Sequence, residues 1–310
     1  VDGRVRQNNF AVFGLQEIEF DRVAFEFGGR IESNSYSPVN TALYNERSFT
    51  GFSGAVGARF RLWENASLIA SFTSSYRAPA LEELYNFGPH IGTVTFEVGN
   101  ENLTRERSNG FEVSLRQNFK RIRINGSAYI YNIDNFVFLA PQDADDNGFI
   151  DVEDNLPVAA YFQNNAKFVG ADVTADFDIH KYFGAFVIAD FVSANLQTTD
   201  GSPSLPRITP ARLRLGGDFR YKGLSVRPEL TFVGKKDLNN IFPLETPTAG
   251  YGIFNINGSY TYATDHYAHI FTFGGANLTD KLYRNHQNFI KDLLPEVGRG
   301  FRVSYTIRFF

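Results

Sequence analysis

The stretch Gly300-Phe-Arg-Val-Ser-Tyr-Thr-Ile-Arg-Phe-Phe310 carries two interleaved stripes. Phe301, Val303, Tyr305, Ile307 and Phe309 make one; Arg302, Ser304, Thr306 and Arg308 make the other. A period of two sends successive side chains to opposite faces of an extended backbone, so the stretch reads as a β-strand with one apolar and one charged face. Soluble sandwiches and membrane walls both use such strands, and the remainder of the chain decides between them.

The alternation recurs upstream. Val56, Ala58, Phe60 and Leu62 oppose Arg59 and Arg61, and Phe111, Val113 and Leu115 oppose Glu112, Ser114 and Arg116. In 211–221, Leu213, Leu215, Phe219 and Tyr221 oppose Arg212, Arg214, Asp218 and Arg220. Thirteen strands are predicted, at 7–19, 23–37, 48–62, 66–79, 108–119, 122–139, 161–179, 185–198, 207–220, 224–236, 251–263, 266–277 and 298–310. Many exceed twelve residues. Soluble strands usually run about five or six residues, whereas a tilted strand needs roughly nine to eleven to cross hydrocarbon. Length therefore favours the membrane.

Composition agrees. The 310 residues include 32 Phe and 15 Tyr, and no apolar run is long enough for a membrane helix. A net charge of -4 gives no support for nucleic-acid binding. The absence of Cys fits an oxidising or envelope compartment. Val1 is not expected to be the start of the translated gene.

Connections alternate between tight turns (Asp21-Arg22, Trp63 to Asn65, Lys120-Arg121, His180 to Gly184, Lys222-Gly223, Thr264-Asp265) and long loops (38–47, 80–107, 140–160, 199–206, 237–250, 278–297). Turns on one rim and loops on the other are the asymmetry of bacterial outer-membrane barrels. The predicted fold is all-β, an antiparallel transmembrane β-barrel, with turns in the periplasm and loops outside. Single-chain bacterial barrels have even strand counts, so thirteen strands are expected to be part of a larger wall.

Ser75-Tyr-Arg-Ala-Pro-Ala-Leu-Glu-Glu-Leu-Tyr85, with Gly88-Pro-His90, Thr95 to Asn100, Leu103 and Glu106-Arg-Ser108, resembles an element of the TonB-dependent outer-membrane receptors. Tyr161, Gln163, Ala166, Phe168 and Gly170 resemble another, and Asn277 to His286, Lys291-Asp292, Pro295, Gly298-Arg299 and Phe310 the closing segment. The nearest branch is that of the zinc-uptake receptors. The resemblance implies a barrel of 22 strands around a plug. Residues 1–310 would then be strands 10 to 22, with the amino-terminal plug, the first strands and the TonB box outside this sequence. It also implies active import of a scarce nutrient, a metal ion or metal chelate with Zn2+ as one cargo. The energy would come from the TonB-ExbB-ExbD complex, and lipid and lipopolysaccharide would surround the wall. A passive porin and a surface-binding or adhesion protein are the alternatives. No serine, cysteine or paired-carboxylate constellation calls for an enzyme.

Several side chains are singled out. Arg77 is expected to face the lumen against an acidic residue of plug or wall, with Pro79 ending its strand and a turn of helix following. Arg212, Arg214 and Arg220 are expected on the lumen face, and Leu213, Leu215 and Phe219 on the lipid face. His90 with Glu97, and His286 with Asp292, are candidate ligand-binding residues, because zinc takes imidazole nitrogen and carboxylate oxygen and both pairs lie in outer loops. Asp143-Ala-Asp-Asp-Asn-Gly-Phe-Ile-Asp-Val-Glu-Asp154 matches the spacing of a calcium loop. Asp143, Asp145, Asn147, Phe149 (through its carbonyl), Asp151 and Asp154 are the candidate ligands of a structural Ca2+. Asp154 stands where EF-hand loops carry a bidentate Glu.

Overall fold

The computed structural model describes residues 4–198 and 203–310. Thirteen long strands form its wall: β1 (Val5–Glu19), β2 (Val23–Pro38), β3 (Arg47–Trp63), β4 (Ala66–Arg77), β7 (Glu106–Asn118), β8 (Ile122–Pro141), β10 (Leu156–His180), β11 (Phe183–Leu196), β12 (Arg212–Tyr221), β13 (Leu224–Val233), β14 (Tyr251–Ala263), β15 (Tyr267–Ala276) and β16 (Gly300–Phe309). Three short strands were not predicted: β5 (Phe87–His90), β6 (Thr95–Val98) and β9 (Val152–Glu153). One helical turn, α1 (Leu81–Tyr85), follows Pro79, as the sequence suggests. The predicted loop 199–206 is described only from residue 203.

The long strands pair in chain order and always antiparallel with their neighbours, from β1 at one end to β16 at the other. The path is thus an all-β meander, barrel-like in form. β5 and β6 make a hairpin that lies parallel to the upper end of β10, and β9 pairs antiparallel with the start of β10. All described strands belong to a single sheet, so no second sheet covers either face.

Register sorts the side chains. Phe27, Val56, Phe72, Phe111, Ile130 and Val169 oppose one another in a row across six strands. Leu215 faces Leu230, and Phe271 faces Tyr305 on the same face further round. On the other face, Arg59, Ile69, Ser114, Ser127, Asp172, Asp190 and Arg212 form a mostly polar row. Phe27, Val56, Phe72 and Phe111 are between 41% and 49% exposed. In water such a surface would be a liability, whereas beside hydrocarbon it is the required one.

The polar face answers its own charges. Arg212 Nε lies 3.0 Å from Asp190 Oδ2, and Arg220 Nη2 lies 2.5 Å from Asp218 Oδ2. Arg214 shares this face, opposite Ile188 and Thr231. Arg212, Arg214 and Arg220 thus lie on the face opposite to that of Leu213, Leu215 and Phe219. The packed core lies elsewhere. Tyr36, Phe49, Leu84, Tyr85, Leu103 and Val137 cluster at the loop rim, where strand ends meet α1. A second cluster, Ala166, Ala194, Leu196 and Leu205, lies further round the same rim.

Candidate functional site

The rim is assembled on Arg77. Its guanidinium meets Glu106 (Nη2–Oε1, 2.6 Å) and Glu83 (Nη1–Oε1, 3.0 Å), so its acidic partners are supplied by the wall and by α1. Glu106 is buried and also accepts the Val137 amide at 2.7 Å. Glu83 takes the Ala80 amide at 2.7 Å, closing the first turn of α1. Tyr36 donates its hydroxyl to the Pro79 carbonyl at 2.7 Å, and Tyr85 donates to that of Asn45 at 2.9 Å. Burial pushes the Tyr85 phenol up to about 12, which keeps it a neutral donor. The motif is therefore a clamp that seats α1 on strands β2, β4 and β7.

His90 and Glu97 do meet. The imidazole Nδ1 lies 3.3 Å from Glu97 Oε1, with Thr93 Oγ1 3.0 Å from the same nitrogen. His90 is exposed while Glu97 is buried and also takes an N–H from Asn86 at 2.8 Å. His286 occupies a different cluster and is buried. Its Nδ1 lies 2.9 Å from Thr248 Oγ1, and its Nε2 lies 3.8 Å from Glu245. Burial first, and then the charges of Lys291, Lys236 and Arg207, hold its pKa down to about 4, so it is neutral at pH 7. Asp292 turns to Lys291 (3.0 Å) and Thr246 (2.6 Å). No described contact joins His286 to His90 or to Asp292.

Between the two clusters lies a crevice of about 410 Å³. The β5–β6 turn (Thr93, Thr95), the ends of β8 and β10, and the loops carrying Arg207, Glu245 and Asn288 to Leu293 all border it. Of the sequence's ligand-binding candidates only Asp292 borders this place, because its walls come from six segments spread over two hundred residues. Glu245 is its least legible member. The carboxylate accepts the amides of Arg207 at 2.9 Å and Phe242 at 3.1 Å, and burial raises its pKa.

The acidic loop borders the same crevice through Ile150 and Asn155. Carboxylate oxygens of Asp143, Asp145 and Asp151 lie within 4.8 Å of one another. Backbone amides hold them there: Asn147 (3.1 Å) and Gly148 (2.9 Å) donate to Asp143, and Ala144 (3.1 Å) donates to Asp151. Gly148, at φ 86°, supplies the sharp turn. Asn147 Oδ1 is occupied by the Phe149 amide at 2.8 Å, and Asn147 Nδ2 donates to Asp145 at 2.9 Å. Asp154 stands apart from the three aspartates, at φ 51° in the turn between β9 and β10. The loop thus gathers three of its four candidate carboxylates.

The sequence pattern of the family described as TonB dependent receptor-like, beta-barrel matches residues 1–278. The chain belongs to the TonB-dependent receptor family. Among solved structures, the copper transporter OprC resembles it with a TM-score of 0.81 at 19% identity, over 98% of this chain and 47% of that one. The FrpB iron transporter from Neisseria meningitidis gives 0.70 at 15% identity, over 99% and 46%. The ferric citrate transporter FecA gives 0.71 at 13% identity, over 98% and 45%. The chain spans about half the length of these transporters and shares their fold. The family is one of outer-membrane receptors and transporters, not of enzymes. No helix among the described residues is long and apolar enough to cross a membrane.

Proposed function

We propose that this chain is part of the wall of a receptor that actively imports a metal ion or metal chelate, energised through TonB-ExbB-ExbD. Membership of the TonB-dependent receptor family carries this reading. On it, the thirteen wall strands are strands 10 to 22, the polar face lines a plugged lumen, and lipid and lipopolysaccharide meet the apolar face. The solved relatives named for copper and iron transport support a metal cargo, and zinc stays a candidate because His90 and Glu97 sit together on the outer rim. The test is cellular accumulation of zinc, copper and iron by mass spectrometry in a deletion strain, a complemented strain and a complemented strain lacking TonB. Import restored only when TonB is present supports the proposal. Uptake that survives loss of TonB supports a porin, and no change in any metal, with retained surface binding, supports adhesion.

We further propose that the acidic loop holds a structural Ca2+ through Asp143, Asp145 and Asp151, with Asn147, the Phe149 carbonyl and Asp154 as the remaining candidates. Three convergent carboxylates offer a hard cation the oxygen donors it prefers. Calcium titration by calorimetry should give saturable heat that Asp143→Ala abolishes. Equal, negligible heats from both proteins reject the site.

A further inference from the structure

Arg207 is the group in the rim crevice whose bonding is incomplete. Its backbone adopts φ 55°, a left-handed conformation that costs a non-glycine residue energy and persists only where surroundings impose it. Its backbone N–H donates a hydrogen bond to Glu245 Oε1 at 2.9 Å. The guanidinium is then laid over the Phe289 ring, 3.1 Å from its centroid, and both residues border the crevice. Among the described residues, no oxygen accepts a hydrogen bond from the guanidinium, although burial depresses its pKa. A guanidinium carries five N–H donors in a planar fork that fits a carboxylate.

The neighbouring charges are already engaged. Lys291 is buried and spends its ammonium on the Thr246 carbonyl (3.1 Å), the Thr246 hydroxyl and Asp292 (3.0 Å). Glu245 is taken by two backbone amides. Arg207 and Lys291 balance Glu245 and Asp292 in formal charge, so the unanswered donors, not a net field, select the ligand. Around them the walls are apolar: Leu139, Pro141, Leu156, Leu244 and Leu293. A volume of about 410 Å³ falls within the range of small-molecule sites.

We propose that the crevice is a binding site for a small amphipathic carboxylate, its head paired with the Arg207 fork and its apolar body against Leu139, Leu156 and Leu244. This site does not depend on the transport reading, since it would bind whether or not the barrel moves cargo.

The probe is 3-phenylpropionate, with uncharged 3-phenylpropionamide as its control, titrated into the complete protein in lipid nanodiscs at pH 7.5. A ligand of this size binds in the millimolar range, so titration runs to roughly 10 mM. Saturable carboxylate binding is expected, with the amide weaker by about ten-fold or more. Arg207→Gln should weaken the acid by roughly ten- to hundred-fold and leave the amide unchanged. Because that substitution also removes the Phe289 contact, Leu139→Trp provides a second arm: it fills the crevice, keeps Arg207, and should abolish binding of the acid. Equal binding of acid and amide, undiminished binding by both variants, or no saturable binding of the acid would each overturn the proposal.

Discussion

The wall and the rim of this barrel solve opposite problems. On the wall, Phe27 and Phe111 stand 44% and 49% exposed, and the strands are held to each other by backbone ladders. At the rim, Tyr85 and Leu84 are 0% and 1% exposed, and each loop is fastened by side chains: Arg77 to Glu106, Tyr36 to Pro79, His286 to Thr248. On the proposed reading the wall needs no internal core, because lipid would cover its apolar face. The rim stands in water and must build a core of its own. Inside-out and ordinary protein chemistry thus meet within single strands.

An arginine on the lipid face tests the first half of this contrast most severely. Val113 faces Ala70 and Ala128 in the middle of β7. Val113→Arg should cost about 2–4 kcal/mol in a denaturant titration in bilayers, while Glu112→Gln, on the lumen face of the same strand, should cost well under that. Equal costs would remove the distinction between faces.

At the rim, Arg77→Ala strands the buried Glu106 carboxylate. The arginine is 43% exposed, so solvent softens the loss, and about 2–3 kcal/mol is expected. Hydrogen exchange should show the effect in α1 and residues 80–107, with the turns at the opposite rim unchanged. A uniform rise across the wall would mean that rim and wall unfold as one unit.

Two glycines sharpen the same comparison. A Cβ on Gly99 would lie 2.6 Å from the Asn86 amide nitrogen and 2.8 Å from Leu84 and Tyr85 backbone atoms, which cannot move aside without unseating α1. A Cβ on Gly110 would lie 2.0 Å from the Tyr131 ring, and a ring can swing into the lumen. Gly99→Ala should therefore cost about 1–3 kcal/mol and Gly110→Ala less, by thermal denaturation of matched samples. The reverse order would show that ring to be as fixed as backbone.

The smallest effect is a pH dependence. Burial lowers the His286 pKa from 6.5 to about 4, so the packed loop excludes a proton that the unpacked loop binds. Its contribution is complete above pH 6.5 and is lost as pH falls towards 4. Glu245, with a raised pKa, contributes in the opposite sense, its share declining as pH rises. Exchange in residues 283–291, corrected for intrinsic rates, should quicken between pH 7 and pH 5, and His286→Asn should flatten the change. An unaltered pH profile in that variant would assign the effect to another group.

Periodicity made the wall legible, and each predicted wall strand is present in the predicted order. Its errors have local causes. Strand 207–220 begins only at Arg212 because Pro210 cannot donate to a ladder and Arg207 is left-handed. Strand 161–179 starts earlier, at Leu156, where β9 pairs with it. The β5–β6 hairpin was hidden by Gly88 and Pro89, although Thr95-Phe-Glu-Val98 does alternate. The convergence of Asp143, Asp145 and Asp151 was readable because all three lie within one twelve-residue stretch. Arg77's partners were readable only as a type, since Glu106 arrives from 29 residues away. The burial of His286 depends on Thr248, 38 residues distant, and no local pattern announces it.

β10 runs 25 residues, while a tilted membrane strand needs about nine to eleven. The surplus carries the strand on the order of 20–30 Å beyond the hydrocarbon. It acts as a mast, with β6 and β9 lashed to its upper part and the crevice at its top. With the loops outside, as proposed, a solute would meet this crevice before it reached the headgroups. In that orientation the length of one strand sets the altitude of the crevice.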